Sequence, residues 1–394
     1  MSRFRLLPSS GQESALLSHC AHARLVWNLA VEQHAHWRAG RKGAPGFVSQ
    51  ARQLTEARAE FGWLRAGAQM VQQQALRDFS QATANFFAGT HGRPSWRKQG
   101  RNEGFRIVAV KAGHVRRLNR GTGEVWIPKV GWVRFKWSRQ VPAVVSYRVT
   151  RDRAGRWHIA FAAEPAEIPA PGNGAVVGVD RGVKVSAALS TGELLSCPGL
   201  RVKEAERLRR LQRRLAAAKR GSNRRVRVKN QIARLKAREA DRRKDWVEKT
   251  STMLARRFDV IRVEDLNIRA MTRSARGTLE APGRNVAQKA GLNRGILANG
   301  WGQLATRLDD KAPGRVERIP APYTSQTCSV CRFVDREARE SQAVFRCRSC
   351  GHTQHADINA ARNIAAGRAV TARGDLSISR SKKREPQPTR LLSA

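Results

Sequence analysis

The feature that most restricts this sequence is its excess of positive charge. Among 394 residues, 75 are Lys or Arg and 31 are Asp or Glu, which gives a formal net charge of +44. A charge of this size repels itself in a compact chain and is typical of proteins that bind a polyanion. With 41% apolar residues, the chain can still bury sizeable cores. A small neutral substrate does not explain the surplus, so we expect a polyanionic partner.

The charge is densest between residues 201 and 250, which hold 20 Lys and Arg against 6 Asp and Glu. Leucines at helical spacing, with a break near Gly221, predict two long helices that form a basic hairpin. A charge run of this kind is often no more than a solvated helix face. With so few acids available for pairing, however, the cations would repel one another unless phosphates neutralised them. We therefore favour contact with nucleic acid here.

Neither a membrane span nor a signal peptide is indicated. The sequence contains no run of eighteen apolar residues, and its first ten residues lack an apolar core and a cleavage site. These patterns predict a cytosolic protein with no membrane partner.

Hydrophobic periodicity divides the chain into regions of different character. A strand-like piece at residues 4–7 precedes two helical series, and β-like segments follow from 104 to 163. Because that first strand precedes the helices, we predict a helical region inserted into a compact β-barrel or sandwich. A Pro- and Gly-rich linker at 165–174 then leads to apolar strands at 175–179 and 258–263, which begin a second domain. The first helical series places five residues on one buried face: Leu16, Cys20, Ala23, Trp27 and Ala30.

Four of the six cysteines form two Cys-x-x-Cys pairs separated by fifteen residues: Cys328, Cys331, Cys347 and Cys350. In a reducing compartment this spacing indicates a metal site and not a disulfide. Four thiolates satisfy tetrahedral zinc and leave no open coordination position, so one Zn²⁺ would be structural. The alternative is a chance cluster of buried thiols. We predict that zinc holds together a small ribbon without a core of its own.

Three acids stand where strands end or a helix begins. Asp180 and Glu264 each terminate an apolar strand, and Asp357 lies at the start of a predicted helix. Burying an unpaired carboxylate is unfavourable unless a cation or hydrogen-bond donors compensate it, and a divalent ion is one such cation. Each acid also has a structural explanation, as part of a turn, a solvent-facing strand end or a helix cap. The acids lie 84 and 93 residues apart, so periodicity leaves both interpretations open.

A series of short motifs, in this order, resembles the TnpB (OrfB) proteins of insertion sequences, which are relatives of the type V CRISPR effectors. The motifs are Gly-Val-Asp-Arg-Gly-Val-Lys at 178–184, Val-Glu-Asp-Leu-Asn at 263–267, Ser-Gln-Thr-Cys at 325–328 followed by Cys331, and Cys-x-x-Cys-Gly at 347–351 followed by His-Ala-Asp-Ile-Asn-Ala-Ala-Arg-Asn-Ile at 355–364. The resemblance extends from about residue 4 to 364 and includes Gly-Arg-Pro-Ser-Trp at 92–96. Arg332 departs from it, because the family usually has glycine there, and Glu248 stands where many relatives have histidine.

The resemblance implies a multi-domain α+β protein. A wedge-type β-barrel would comprise residues 1–10 and 97–166, with an inserted helical recognition lobe at 11–96. A RuvC-like, RNase H-type α/β nuclease domain would comprise 174–322 and 352–370, interrupted by the basic helical hairpin at 199–257 and by a zinc ribbon at 323–351. A disordered basic tail would occupy 371–394.

The resemblance also implies a chemistry. Asp180, Glu264 and Asp357 would be the catalytic acids, which hold two Mg²⁺ ions about 4 Å apart for phosphodiester cleavage. A guide RNA would pair with target double-stranded DNA, and the protein would read only a short flanking motif. We therefore predict an RNA-guided DNA endonuclease of a transposable element, acting as a monomeric ribonucleoprotein. The alternatives are a nuclease-inactive RNA-guided DNA-binding repressor and a strand-transferring transposase, which would need no RNA.

Three further expectations concern individual side chains. Asp265 should point to the opposite face of its strand from Glu264, so it is not expected to be a ligand. His355 could touch the scissile phosphate or be a surface residue. For the tryptophans of the basic β region, stacking on bases is possible and core packing is the simpler expectation: Trp96, Trp126, Trp132 and Trp137.

Overall fold

The computed structural model describes residues 2–36, 43–164 and 166–367, so the predicted tail at 371–394 lies outside the described residues. The strands are β1 (Ser2–Leu7), β2 (Gly104–Val108), β3 (Val115–Arg117), β4 (Thr122–Ile127), β5 (Gly131–Lys136), β6 (Ser146–Arg151), β7 (Trp157–Phe161), β8 (Val176–Asp180), β9 (Ala187–Leu189), β10 (Leu194–Leu195), β11 (Val260–Glu264), β12 (Val316–Ile319), β13 (Val344–Arg346) and β14 (Thr353–His355). The helices are α1 (Ser10–Ala35), α2 (Phe47–Glu60), α3 (Gly62–Ala66), α4 (Gln69–Phe87), α5 (Val202–Ala217), α6 (Asn223–Arg257), α7 (Ile268–Met271), α8 (Val286–Ala298), α9 (Trp301–Lys311) and α10 (Ala356–Ala365).

The chain is a mixed α/β protein with two compact units. The first unit comprises residues 1–166 and 199–242, and the second comprises 167–198 and 243–394. Within the described part of both units, no helix is long and apolar enough to cross a bilayer.

The first unit is built on an antiparallel seven-stranded sheet in the order β2-β6-β7-β1-β5-β4-β3. Strand β1 is central, because its first residues pair with β7 and its last two pair with β5. Helices α1 to α4 follow β1 in the chain and precede β2. They are therefore inserted between two strands of the same sheet, as the sequence predicted. Among the described residues the sheet stays open at β2 and β3, so it does not form the predicted β-barrel. Closure would need a β2–β3 pair, and the three-residue β3 pairs with β4 instead.

The core of the first unit joins the sheet to the helices. Phe4, Phe135 and Phe161 are buried, and their ring centroids lie 5.5 to 5.7 Å apart in pairs. Helix α1 begins with a capping box, in which Ser9 and Gln12 exchange side-chain to backbone hydrogen bonds. All five residues that the sequence placed on the inner face of α1 are buried. One hydrophobic cluster therefore supports both the sheet and its inserted helices.

The first unit also contains the hairpin of α5 and the part of α6 up to Arg242. The buried apolar cluster between the two helices of the hairpin is small: Leu208, Leu211, Val228 and Leu235. Glu204 accepts two hydrogen bonds from Arg242, at 2.6 and 2.9 Å, and most other cations of the hairpin are exposed. The hairpin thus presents a large basic surface.

The second unit is built on a five-stranded sheet in the order β10-β9-β8-β11-β12. Strands β8, β11 and β12 are parallel, and β9 runs antiparallel to β8. Helix α10 packs so closely on β8 that a Cβ atom at Gly178 would lie 2.0 Å from the carbonyl oxygen of Ala361. Any side chain at Gly178 would therefore displace the helix.

At two places in this unit the structure differs from the secondary structure that the sequence predicts. The helix predicted from Leu292 to Leu308 is two helices, α8 and α9, separated at Gly300, whose φ of 67° is left-handed. The loop predicted over 269–290 overlaps α7 and the start of α8, and a β-bridge joins Gly277 to Pro282 within it.

Candidate metal centres

Parallel pairing brings two of the predicted acids to neighbouring strand ends. Val179 of β8 is in register with Val263 of β11, so the next residues, Asp180 and Glu264, lie side by side at the carboxyl ends of their strands. Asp357 occupies the first turn of α10, the helix that covers β8. The structure therefore brings together three carboxylates that are remote in sequence.

Burial and mutual repulsion act on these carboxylates. Glu264 and Asp357 are 8% and 7% exposed, and Asp180 is partly buried. Burial raises the pKa of Asp180 to about 8, and the neighbouring carboxylates of Glu264 and Asp357 add to this effect. Burial also raises the pKa of Glu264. A cluster of this kind favours either a bound proton or a bound cation.

Two residues beside Glu264, Thr324 and Arg181, favour the charged form of its carboxylate. The hydroxyl of Thr324 donates to Glu264 Oε1 over 3.1 Å. The buried guanidinium of Arg181 donates to the backbone carbonyl of Glu264, not to its carboxylate. The hydrogen bond from Thr324 and the positive charge of Arg181 oppose the rise in the pKa of Glu264 that burial causes.

Arg339 is a site residue that the sequence analysis did not identify. It lies between the two Cys-x-x-Cys pairs, in the segment at 323–351 that we call the cysteine-rich segment. Its Nη2 donates to Asp357 Oδ1 over 2.9 Å. The same nitrogen donates to the carbonyl oxygen of Gln342 over 3.0 Å. No motif or periodicity marked Arg339, because its role depends on how the ribbon folds onto α10.

Two neighbours of the acids have clear positions. Asp265 is exposed, on a strand end where Glu264 is buried. His355 caps α10, and its Nδ1 accepts the backbone N–H of Asp357 over 3.2 Å. This hydrogen bond requires an unprotonated Nδ1, so His355 positions the start of the helix that carries Asp357.

The four predicted metal-binding cysteines also come together. All four Sγ atoms lie within 4.8 Å of one another, with Cys328 to Cys350 at 3.7 Å and Cys331 to Cys347 at 3.5 Å. A tetrahedron with Zn–S bonds of about 2.3 Å has edges of about 3.8 Å, so these separations suit such an ion. The surrounding apolar cluster is small: Cys328, Ala338, Phe345, Cys347 and Ala356. This arrangement can bind a metal ion.

Asparagines on α10 attach the cysteine-rich segment to the helix. Asn359 Nδ2 donates to the carbonyl oxygen of Thr327, and Asn359 Oδ1 accepts the N–H of Ser329. Asn363 Nδ2 donates to the carbonyl oxygens of Thr327 and Thr324. The helix that carries Asp357 is therefore bound directly to the first Cys-x-x-Cys turn.

Arg332, where the sequence departs from the family pattern, adds a contact that glycine could not make. Its φ of 66° lies in the left-handed region that glycine adopts freely. Its guanidinium donates to Asn363 Oδ1 over 3.0 Å. The turn after Cys331 thus keeps the backbone conformation that glycine would adopt, and the Arg332 side chain joins this turn to α10.

The other departure, Glu248, also has a structural role. Its carboxylate lies 2.7 Å from Arg307 Nε and 2.9 Å from Lys311 Nζ, so it joins α6 to α9 by two ion pairs.

The two clusters differ in compactness. Among the residues that the structure describes, the cysteines are the only group of three or more ligand atoms from His, Cys, Asp or Glu within 4.8 Å of one another. The three carboxylates are therefore neighbours without forming a tight cage. Their donor set, hard carboxylate oxygens with space between them, fits Mg²⁺, which keeps several of its waters when bound.

Comparison with known proteins agrees with the motifs. A family model described as "Probable transposase" matches residues 146–275, one described as "Cas12f1-like, TNB domain" matches 301–364, and one described as "Helix-turn-helix domain" matches 2–43. Two curated proteins carry the name "Putative RNA-guided DNA endonuclease". The one from Escherichia coli (strain K12), InsQ, is 35% identical over 100% of this chain and 98% of its own length. The one from Streptomyces pristinaespiralis is 30% identical over 95% of this chain and 90% of its own length.

A solved structure shares the fold. The protein in a Cas12f1-sgRNA-target DNA complex, solved by cryo-EM, superposes with a TM-score of 0.53 at 13% identity, over 90% of this chain and 82% of that one. The likeness at this identity concerns architecture alone. The full-length similarity to the two bacterial proteins is the stronger finding, and it shows that the chain belongs to the TnpB (OrfB) family of insertion-sequence proteins.

Proposed function

We propose that this protein is an RNA-guided, Mg²⁺-dependent DNA endonuclease of a transposable element. The observation that carries the proposal is the meeting of Asp180, Glu264 and Asp357 at one edge of the second sheet, where burial and repulsion raise the pKa of Asp180 to about 8. Two full-length relatives are named as RNA-guided DNA endonucleases, which supports the same activity.

The three acids would hold the catalytic metal, and the surrounding residues would position them. When bound, two Mg²⁺ ions supply an activated water and stabilise the leaving 3′ oxygen of the phosphodiester. Thr324 and the backbone contact from Arg181 hold Glu264 in place. His355 fixes the first turn of α10 and with it Asp357. Arg339 supplies a positive charge beside Asp357, and an entering metal ion would compete with it for that carboxylate.

The cysteine cluster would hold one structural Zn²⁺. Four thiolates close the tetrahedron, so this ion has no free position for substrate. Its role is to fold the segment that carries Arg339 and Thr324 toward the carboxylates, because that segment has a small apolar cluster.

The rest of the molecule would bind nucleic acid. We infer that the open sheet of the first unit is the wedge domain, that α1 to α4 form the recognition lobe, and that the second sheet with α10 is a RuvC-like domain. The predicted boundaries, with a zinc ribbon at 323–351 and a hairpin at 199–257, remain our proposal for the domain organisation. The exposed cations and the net charge of +44 suit a guide RNA and the duplex it forms with target DNA.

The test compares adjacent acids on one strand. Glu264→Gln should reduce cleavage of a plasmid with a guide-matched target by about 10²- to 10³-fold, the scale for losing one group that stabilises transition-state charge. Asp265→Asn is the matched control, because Asp265 is exposed, and it should cleave at the wild-type rate. Both variants should retain their copurified RNA, which sequencing would identify.

Other results would replace this proposal. Equal cleavage by Glu264→Gln and wild type would remove the carboxylate mechanism. Tight guide-dependent binding by wild type without cleavage would indicate a repressor. Joining of DNA ends after RNase treatment would indicate a transposase that needs no RNA.

A further inference from the structure

The first unit contains a cavity that the nuclease proposal does not use. It has a volume of about 590 Å³ and lies between α1, α4, strands β2 and β6, and the loop at residues 92–103. That volume is within the range of small-ligand sites. A second cavity of about 540 Å³ shares five lining residues with it: Trp27, Asp78, Arg97, Arg106 and Arg148.

The charge of this cavity, which we call the loop cavity, is strongly positive. Its lining has one carboxylate, Asp78, which accepts hydrogen bonds from Gln74 over 3.1 Å and from Arg148 over 3.0 Å and forms an ion pair with Arg106 at 3.7 Å. The cationic side chains number seven: Arg93, Arg97, Lys98, Arg101, Arg106, Arg148 and Arg153. The Asp78 carboxylate is therefore already paired, and most of the cations in the lining have no carboxylate of the lining to pair with.

Arg97 is the most unusual of these cations. Its guanidinium lies 3.7 Å from the ring centroid of Trp27, and no carboxylate of the described residues forms an ion pair with it. Burial lowers its pKa to about 10, which leaves it charged at neutral pH. The negative charge of Asp78 opposes this lowering, but Asp78 is paired with Arg106 and Arg148 and forms no direct ion pair with Arg97. A partly buried guanidinium without a direct ion pair is stabilised when a ligand supplies an anion.

The loop is rigidly attached to α1. Trp27 Nε1 donates to the carbonyl oxygen of Ser95 over 2.9 Å. Asn28 accepts the N–H of Arg97 over 2.8 Å and donates to its carbonyl oxygen over 3.1 Å. These three bonds fix the position of Arg97 before any ligand arrives, so the cavity is preorganised.

Trp96 supplies an aromatic surface at the same place. It lines the cavity, and it is 55% exposed, unlike the core tryptophan Trp27 at 8%. Core packing, the simpler expectation for Trp96, is therefore wrong for this residue. An exposed indole beside a row of guanidinium groups matches a nucleobase next to its phosphate. Bases within a duplex are covered by their neighbours, so this surface is open to an unpaired base.

We propose that the loop cavity binds one unpaired nucleotide of a nucleic-acid strand, with its phosphate at Arg97 and its base on Trp96. The site is separate from the carboxylate cluster, and it rests on the proposed function in one respect, that the protein carries nucleic acid. The strand is either the guide RNA or displaced DNA, which share this chemistry.

The experiment uses ultraviolet crosslinking of the purified full-length ribonucleoprotein, with and without added target DNA, followed by protease digestion and mass spectrometry. We expect a single-nucleotide adduct on the peptide that spans 92–101. An adduct present without DNA and carrying a ribonucleotide mass identifies RNA as the source. An adduct that needs DNA and carries a deoxyribonucleotide mass identifies DNA.

Matched variants test the contribution of the two side chains. Trp96→Ala should remove the adduct and weaken binding of the strand that forms it at least about tenfold. Trp63→Ala is the control, because Trp63 is 56% exposed and lines neither cavity. Arg97→Gln should weaken binding more than Arg120→Gln, an equal loss of charge at an exposed turn away from the cavity.

The proposal fails if adducts form elsewhere and none forms at 92–101, or if each variant and its control weaken binding equally. In either case cleavage and RNA binding would persist, so the nuclease proposal would stand. Absence of any copurified nucleic acid together with absence of cleavage would overturn both.

Discussion

The four-cysteine cluster and the three-carboxylate cluster lie in the same unit and are assembled in different ways. The cysteines span residues 328 to 350, and two tight turns bring their sulfurs within 4.8 Å. The carboxylates span residues 180 to 357 and meet because β8 and β11 are parallel neighbours and α10 packs on β8. The first site is thus local in the chain, whereas the second depends on the topology of the sheet and on the packing of α10.

Removing one thiolate of the cysteine cluster should have the largest effect. Cys328→Ser should lose the one bound zinc, unfold the segment at 323–351 and abolish cleavage, because zinc supplies about 10–16 kcal/mol in small zinc-binding peptides. Zinc content, protease sensitivity of that segment and the melting temperature measure these effects. Cys197→Ser, which removes a thiol outside the cluster, should keep its zinc. Full zinc content in Cys328→Ser would contradict a four-cysteine site.

A smaller effect should come from the pH dependence of the carboxylates. The pKa of Asp180 rises from 3.8 to about 8 on folding, so the metal-free protein loses stability as pH rises through that interval. Its melting temperature should therefore fall between pH 4 and 8, and Mg²⁺ should restore it at pH 8.

The matched variants for this measurement are Asp180→Asn and Asp265→Asn. The first should flatten the pH dependence and weaken the response to Mg²⁺, whereas the second should leave both unchanged. A flat profile in the metal-free wild type would show that neither burial nor the neighbouring carboxylates raise the pKa of Asp180.

The smallest effect should come from the link between the two clusters. Arg332→Gln and Arg332→Gly both lose the hydrogen bond to Asn363, and the glycine variant also relieves a left-handed backbone, worth roughly 1–2 kcal/mol. Arg332→Gln should therefore melt at a lower temperature than Arg332→Gly. Both should cleave a few times more slowly with zinc content unchanged.

Arg336→Gln, an equal loss of charge at an exposed position of the same segment, is the control. If its cleavage falls as far as that of the Arg332 variants, the contact with Asn363 has no special part in coupling the clusters.

Sequence patterns were most informative where contacts are local. The inner face of α1 could be read from the spacing of Leu16 to Ala30, and all five predicted residues are buried. Patterns were weaker at helix breaks, because Gly300 separates α8 from α9 within a continuous apolar period. They also missed α2, whose buried residues are only Gln50 and Leu54 among those described.

The predicted site shows the same division. Family motifs selected Asp180, Glu264 and Asp357, while spacing alone left each acid with a structural explanation. Arg339 and Thr324 were not selected at all, because their contacts with Asp357 and Glu264 depend on how the cysteine-rich segment folds. For Trp96, core packing was the simpler of two expectations, based on the ordinary preference of tryptophan, and its 55% exposure was decided by the loop around it.

By itself, the sequence determined the basic character of the protein, its family and the four cysteines that can bind a metal, because charge, motif order and cysteine spacing are properties of the chain. Tertiary structure alone decided that the first sheet is open, since closure depends on whether two distant strands pair. It also decided which cations and hydroxyls surround the carboxylates and which tryptophan faces a cavity. These are long-range contacts, and they depend on packing that no spacing along the chain encodes.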